Sequence, residues 1–156
     1  ARKGGIGAAI TRSGDVTVGA LMAANALGSV YDEHGKLLAG CRAPEEHPRY
    51  PGAPLGTPSA GSLSNTVIGC VVTNARLDKA GACRVADLSH TGIARSVSPA
   101  HTTMDGDAIF ALATGEVEAG IDLIAELSAQ AVAQAVRSAV RNAIAMPGFP
   151  VDPRAM

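Results

Sequence analysis

The sequence predicts an α+β fold built in stacked layers, and three observations point to it. Residues 16–23, 67–73 and 108–114 are almost wholly apolar or small, which suits strands covered on both faces. Two longer stretches, after Asp78 and from Ile121, carry apolar residues at helical spacing. Strands and helices are mixed but do not alternate regularly, which favours a sandwich over a doubly wound sheet.

Each element has a local reason. Residues 4–10 read as a first strand, and Ser13-Gly14-Asp15 is a turn signal leading into the strand at 16–23. That strand runs into Asn25-Ala26-Leu27-Gly28, with a short strand at 29–31 and a turn at 33–36. Residues 44–64 hold Pro44, Pro48, Pro51, Pro54 and Pro58 among Gly52, Gly56 and Gly61, and read as an exposed, mobile linker. A linker this long inside a domain points to function or processing. After the strand at 67–73, Asp78 caps a helix of about 18–20 residues that Pro99 terminates. Its inward stripe is Ala82, Ala86, Ser89, Ile93 and Val97. A last helix runs from Ile121 to Met146, where Pro147-Gly148 stops it. One face carries Ile121, Ala125, Ser128, Val132, Ala135, Ala139 and Ala143, small enough for close packing.

The 156 residues suit a single domain, 1–156, with a real core. Net charge is -1 with only 3% aromatic residues and no basic run, so nucleic acid is not an expected partner. No apolar stretch approaches a membrane span. Cys41, Cys70 and Cys83 are odd in number and scattered, which fits a reducing, cytoplasmic compartment and no disulfide framework. Cys70 and Cys83 read as buried thiols. His34 and His47 sit in loop-like sequence, and His90 lies on or just under the helix surface. The start, Ala1-Arg2-Lys3-Gly4-Gly5, lacks Met and enters strand-like sequence at once, so upstream sequence is expected.

The chemistry concentrates at two places. Ser64-Asn65-Thr66-Val67-Ile68-Gly69 joins the linker to an apolar strand that opens on a hydroxyl residue. Inside a chain a Thr hydroxyl lacks a nearby base. At a fresh chain start its own α-amine, with an ordinary pKa of ~7.7–8.0, is one. Cleavage between Asn65 and Thr66 would give one residue both nucleophile and base; otherwise Thr66 simply begins a strand. The second place is His101-Thr102-Thr103-Met104-Asp105-Gly106-Asp107. Two carboxylates at i and i+2 point the same way on an extended segment, and Gly106 lets another backbone or a substrate come close. Such a pair suits an amine and hydroxyl lying between them; it also suits a turn, or, with His101, a metal. Asn25, at the end of an apolar strand, is a candidate oxyanion donor or a turn residue.

Residues 65–77, residues 101–115 and residues 17–28 together resemble the P1 peptidases, peptidase family S58. That family holds D-aminopeptidases, β-peptidyl aminopeptidases and nylon-oligomer hydrolases. The resemblance runs from about Gly4 to the last helix. It implies an N-terminal-nucleophile hydrolase with an α-β-β-α sandwich, made as one chain that cuts itself into two subunits that stay together. By resemblance Thr66 matches the nucleophile and Asn65 the residue left behind. Asn25 matches the oxyanion-stabilising Asn. Asp105 and Asp107 match the aspartate pair of the nylon-hydrolase branch, where the aminopeptidase branch has Ser and Glu. Family precursors carry a further segment before Gly4 that supplies part of the sandwich and a lysine; Lys3 lies near the corresponding region but is not equated with it.

The resulting expectation is a self-processing amide-bond hydrolase with catalytic Thr66, Asn25, Asp105 and Asp107. It needs no metal and no organic cofactor. Its partners are a small amide or peptide substrate, a companion subunit from the same precursor, and further copies in a homo-oligomer. Two alternatives stand beside it: a non-catalytic or unprocessed binding domain on the same fold, and a metal-assisted hydrolase using Asp105, Asp107 and His101.

Overall fold

A computed structural model describes residues 2–40 and 65–155. The expected linker at 44–64, with Cys41 and His47, lies outside the described residues.

The frame is a four-stranded sheet with one helical layer. Strands β1 (Ile6–Ser13) and β2 (Val16–Asn25) form a hairpin whose turn places Gly14 at φ 54°, a left-handed value that glycine adopts without strain. Asn74 pins this turn: its side chain accepts from Thr17 N–H at 2.8 Å and donates to Asp15 O at 2.8 Å. Strand β2 also pairs antiparallel with the strand Thr66–Ala75, which pairs parallel with the strand Ala108–Val117. Between β2 and Thr66–Ala75 along the chain come two short strands, β3 (Ser29–Tyr31) and β4 (Leu37–Ala39), so Thr66–Ala75 is β5. Another short strand, β6 (Val97–Ser98), precedes β7 (Ala108–Val117), and β4-β3-β6 form a separate small sheet.

Both helices lie against one face of the large sheet. Helix α1 (Lys79–Ala94) makes the crossover from β5 toward β7 and is capped as expected, the Asp78 side chain accepting from Gly81 N–H at 2.7 Å. Helix α2 (Ile121–Arg141) returns across β1 and β2. The core is the inward row set Val18, Ala20, Met22, Val67, Val71 and Ile109 against Ile124, Val132 and Val136. Small residues bring backbones close: a Cβ on Gly7 would stand 2.1 Å from Ala135 O, and one on Gly92 would stand 2.3 Å from Ala129 O.

Several expectations need correction. Helix α1 spans 16 residues and ends at Arg95, before the expected stop. Its buried stripe is Gly81, Val85, Ser89, Gly92 and Ile93, so Ala82 and Ala86 flank it, and Val97 belongs to a strand. Helix α2 ends five residues early because Asn142 caps it, its N–H and side-chain amide both bonding Ser138 O. Cys83 is exposed rather than buried, and Cys70 is half-buried. The strands expected to be covered on both faces are covered on the helix side alone among the described residues. On the other face Ile6, Leu21, Ile68 and Phe110 are 69%, 50%, 46% and 62% exposed. Among the described residues no helix is long and apolar enough to cross a membrane.

Candidate active site

Strand register brings the distant motifs together. Asn25, last residue of β2, pairs with Thr66, first residue of β5. Cross-strand partners in an antiparallel pair share a face, and here it is the face away from the helices. The parallel ladder sets Ile68 beside Ala108, and an isolated bridge sets Asn65 beside Asp105. Thr66 therefore stands between Asn25 on one side and Gly106 on the other.

The junction itself is tightly held. Thr66 Oγ1 donates to Asn65 O at 2.6 Å, and Gly106 N–H donates to the same oxygen at 3.1 Å. Asp107 Oδ1 accepts from Val67 N–H at 2.8 Å, fixing the peptide that follows Thr66. Its other oxygen lies 2.9 Å from His101 Nδ1, and the carboxylate is only 6% exposed. His101 Nε2 stands 3.1 Å from His90 O. Both ring nitrogens of His101 thus face an oxygen, one on Asp107 and one on the His90 backbone. His101 holds this pose with a left-handed backbone, φ 55°, uncommon for a residue with a side chain. Burial, and after it the charge of His101, hold the neighbouring His90 below the ordinary imidazole range.

The two aspartates have different partners. Asp105 Oδ2 accepts from Thr102 N–H at 3.0 Å and Thr102 Oγ1 at 2.8 Å, so it braces the turn that delivers Gly106. Asp107 instead faces β5 and His101. Among the described residues no three His, Cys, Asp or Glu side chains converge to hold a metal ion. The metal-assisted alternative with Asp105, Asp107 and His101 therefore has no ligand cluster behind it.

A cavity of about 540 Å³ opens beside the junction, lined among others by Lys3, Asn25, Thr66, Ile68 and Phe149. A smaller one of about 270 Å³ reaches Asn65 from the other side and shares Arg2, Lys3 and Asn25. Lys3 thus borders the same space as Asn25 and Thr66, with Nζ donating to Gly4 O at 2.7 Å. The sequence pattern drew attention to His101 as a metal ligand and not as the partner of Asp107. Thr102 stands at S/T-x-x-D spacing from Asp105, a local hydrogen-bonding signal that the spacing of the two aspartates overshadows.

Known proteins resemble the chain in sequence and in fold. Residues 1–150 match the family model for peptidase family S58. An uncharacterized aminopeptidase of Mycobacterium leprae is 41% identical over 124 residues, covering 75% of this chain and 34% of that protein. A 6-aminohexanoate-oligomer endohydrolase of Agromyces is 31% identical over 121 residues, covering 73% of this chain and 34% of that protein. The chain thus spans about a third of the length of these curated relatives. The L-aminopeptidase D-Ala-esterase/amidase of Ochrobactrum anthropi, a variant of the Ntn hydrolase fold, superposes with a TM-score of 0.65 at 24% identity, covering 97% of this chain and 44% of that one. A Burkholderia β-aminopeptidase superposes at 0.60 and 22%, covering 89% of this chain and 42% of that one. The fold is that of the Ntn hydrolases, and the chain belongs to peptidase family S58.

Proposed function

We propose that the whole protein is a self-processing amide-bond hydrolase in which Thr66 is the nucleophile. The observation that carries the reading is the contact of Thr66 Oγ1 with the carbonyl oxygen of the preceding residue, 2.6 Å, opposite Asn25 in the strand register. In the first step Thr66 Oγ attacks the Asn65 carbonyl carbon. The C–N bond breaks, its nitrogen takes a proton, and an ester remains. Water then releases Asn65 as a carboxylate and leaves Thr66 with a free α-amine, which serves as base in turnover. Thr66 Oγ next attacks a substrate amide, its proton passing by way of the α-amine to the leaving nitrogen; the C–N bond breaks, the amine departs, and water hydrolyses the acyl-enzyme to a carboxylate and free Thr66.

In this reading Asn25 donates to the oxyanion. Asp107 fixes the backbone at Val67 N–H and through it the nucleophile's direction. Asp105 holds the 102–106 turn. The substrate is a peptide or other linear amide, in keeping with relatives named as aminopeptidases and as an amino-acid-oligomer endohydrolase. The piece upstream of Thr66 stays on as a companion subunit, and the processed protein assembles into a homo-oligomer.

Intact mass and N-terminal sequencing of protein expressed from its complete gene test the reading. We expect a new chain beginning Thr66-Val67-Ile68, and Thr66→Ala to abolish both the cut and amide hydrolysis. Undiminished turnover by Thr66→Ala would remove Thr66 from the mechanism. An uncut, inactive wild type would leave the binding-domain alternative in its place.

A further inference from the structure

Resting on that reading, we infer that the backbone N–H of Gly106 is a second oxyanion donor, beside Asn25, for self-cleavage, and that the same N–H receives the substrate's acyl oxygen in turnover. Three observations meet at this residue. Gly106 N–H donates to Asn65 O at 3.1 Å, so the carbonyl to be attacked is already polarised by a fixed dipole. Asn65 O also receives the Thr66 hydroxyl. A Cβ at position 106 would lie 3.1 Å from Thr66 Oγ1, tighter than ordinary contact, so any side chain there presses on the nucleophile. Position 106 therefore offers a donor, and a side chain there would require the Thr66 hydroxyl to shift by a few tenths of an ångström.

The chemistry follows from the electron flow. As the Thr66 Oγ–C bond forms, the carbonyl π pair moves onto Asn65 O and the charge develops where Gly106 N–H already points. When the C–N bond breaks, the pair returns and the charge disappears. Hydrolysis of the ester passes through the same oxygen position: one water adds to the carbonyl carbon and the bond from that carbon to Thr66 Oγ breaks. An acyl-enzyme made from substrate has the same ester linkage to Thr66 Oγ as the Asn65 ester. Its carbonyl oxygen therefore takes the place that Asn65 O leaves. The donor belongs to the turn braced by Asp105 and Thr102, so its aim is set before any substrate arrives.

The test replaces only the N–H. Glycolic acid placed at position 106 by cell-free translation turns the Asp105–Gly106 amide into an ester and adds no atom. Full-length protein carrying it should form the chain beginning at Thr66 about 10²–10³-fold more slowly than wild type, the usual cost of one oxyanion donor. Gly106→Ala and Gly106→Pro form a second pair: both add a Cβ, and only proline removes the N–H, so proline should be the slower of the two. Thermal unfolding of each variant checks the fold, and if the proline variant does not fold the ester decides. A wild type that cuts and an ester variant that cuts equally fast overturn the role of Gly106 alone. A wild type that never cuts overturns the nucleophile reading together with it.

Discussion

His101 shows how one residue can matter without touching a substrate. It spans from the His90 carbonyl on α1 to Asp107, whose other oxygen holds Val67 N–H. Hydrogen bonds to charged groups contribute about 1.5–3 kcal/mol, which corresponds to roughly 10- to 100-fold in a rate that depends on them. His101→Phe should slow appearance of the Thr66 chain within that range and lower the unfolding temperature by a few degrees, because the nearly buried Asp107 carboxylate loses its partner. His101→Gln should restore part of the rate. Equal rates for all three proteins would reduce His101 to a surface partner of Asp107. At this scale residue type and spacing left Asn25, Thr66 and the Asp105-Gly106-Asp107 turn open as turn or strand residues, and only the family resemblance of their three motifs singled them out together; the strand register sets Asn25 and Gly106 on either side of Thr66. The link from His101 to Val67 was not legible, because it depends on a left-handed backbone at 101 and on the parallel register of two strands, which pairs Ile68 with Ala108.

Between the helices, contact is made through backbone rather than bulk. The Cβ missing from Gly92 would sit 2.3 Å from Ala129 O and 2.7 Å from the Val132 side chain. Overpacking a tight core costs typically about 1–3 kcal/mol, and Gly92→Val should reach or exceed that range. A fall of several degrees in unfolding temperature is the expected reading, and an unchanged one would mean that α1 shifts freely on α2. The same feature explains what sequence periodicity missed. Glycine carries no hydrophobic signal, so the first half of the stripe falls at Gly81 and Val85 rather than at Ala82 and Ala86, while Ser89 and Ile93 are buried as expected. In α2 alanine and valine mark the buried side, and most of that stripe was legible. Its end was not: Asn142 is a quieter stop than Pro147-Gly148, and it comes first. Strands β4 and β6 are three and two residues long, too short for any alternation to register.

Across the whole molecule, Asp152 ties distant segments together. Its fully buried carboxylate takes Arg154 in a two-point contact, lies 3.5 Å from Arg2 Nε, and accepts Gly40 N–H at 3.2 Å. The Arg154 hydrogen bonds hold its pKa at about 2, below the ordinary 3.8. A depressed carboxyl stabilises the fold above pH 3.8, and that contribution drains away as pH falls from there toward 2. Unfolding temperature followed over this window should drop more for wild type than for Asp152→Asn, and parallel curves would contradict it. The layered α+β architecture was legible from apolar runs and helical stripes. That the outer face, with Ile6, Leu21, Ile68 and Phe110, is uncovered among the described residues was not, because strands covered on one side and on two sides both read as apolar when the outer side is Ile, Leu and Phe.

Strand β5 sits in the middle of its sheet, yet the proposed cut falls at its first residue. Eight residue pairs join it to β2, which lies upstream of that cut, and α2, downstream of it, packs on β1 and β2. A severed chain would hold together by these contacts, by the β3–β6 pairing and by the Asp152 ties to Arg2 and Gly40. The intact linker would then act as a temporary tether that keeps two pieces at high effective concentration while they find each other. Once it is cut, reassembly would become an encounter between two separate polypeptides, each presenting a bare strand edge. Folding would be a one-way event for such a molecule: easy the first time, dependent on dilution ever after.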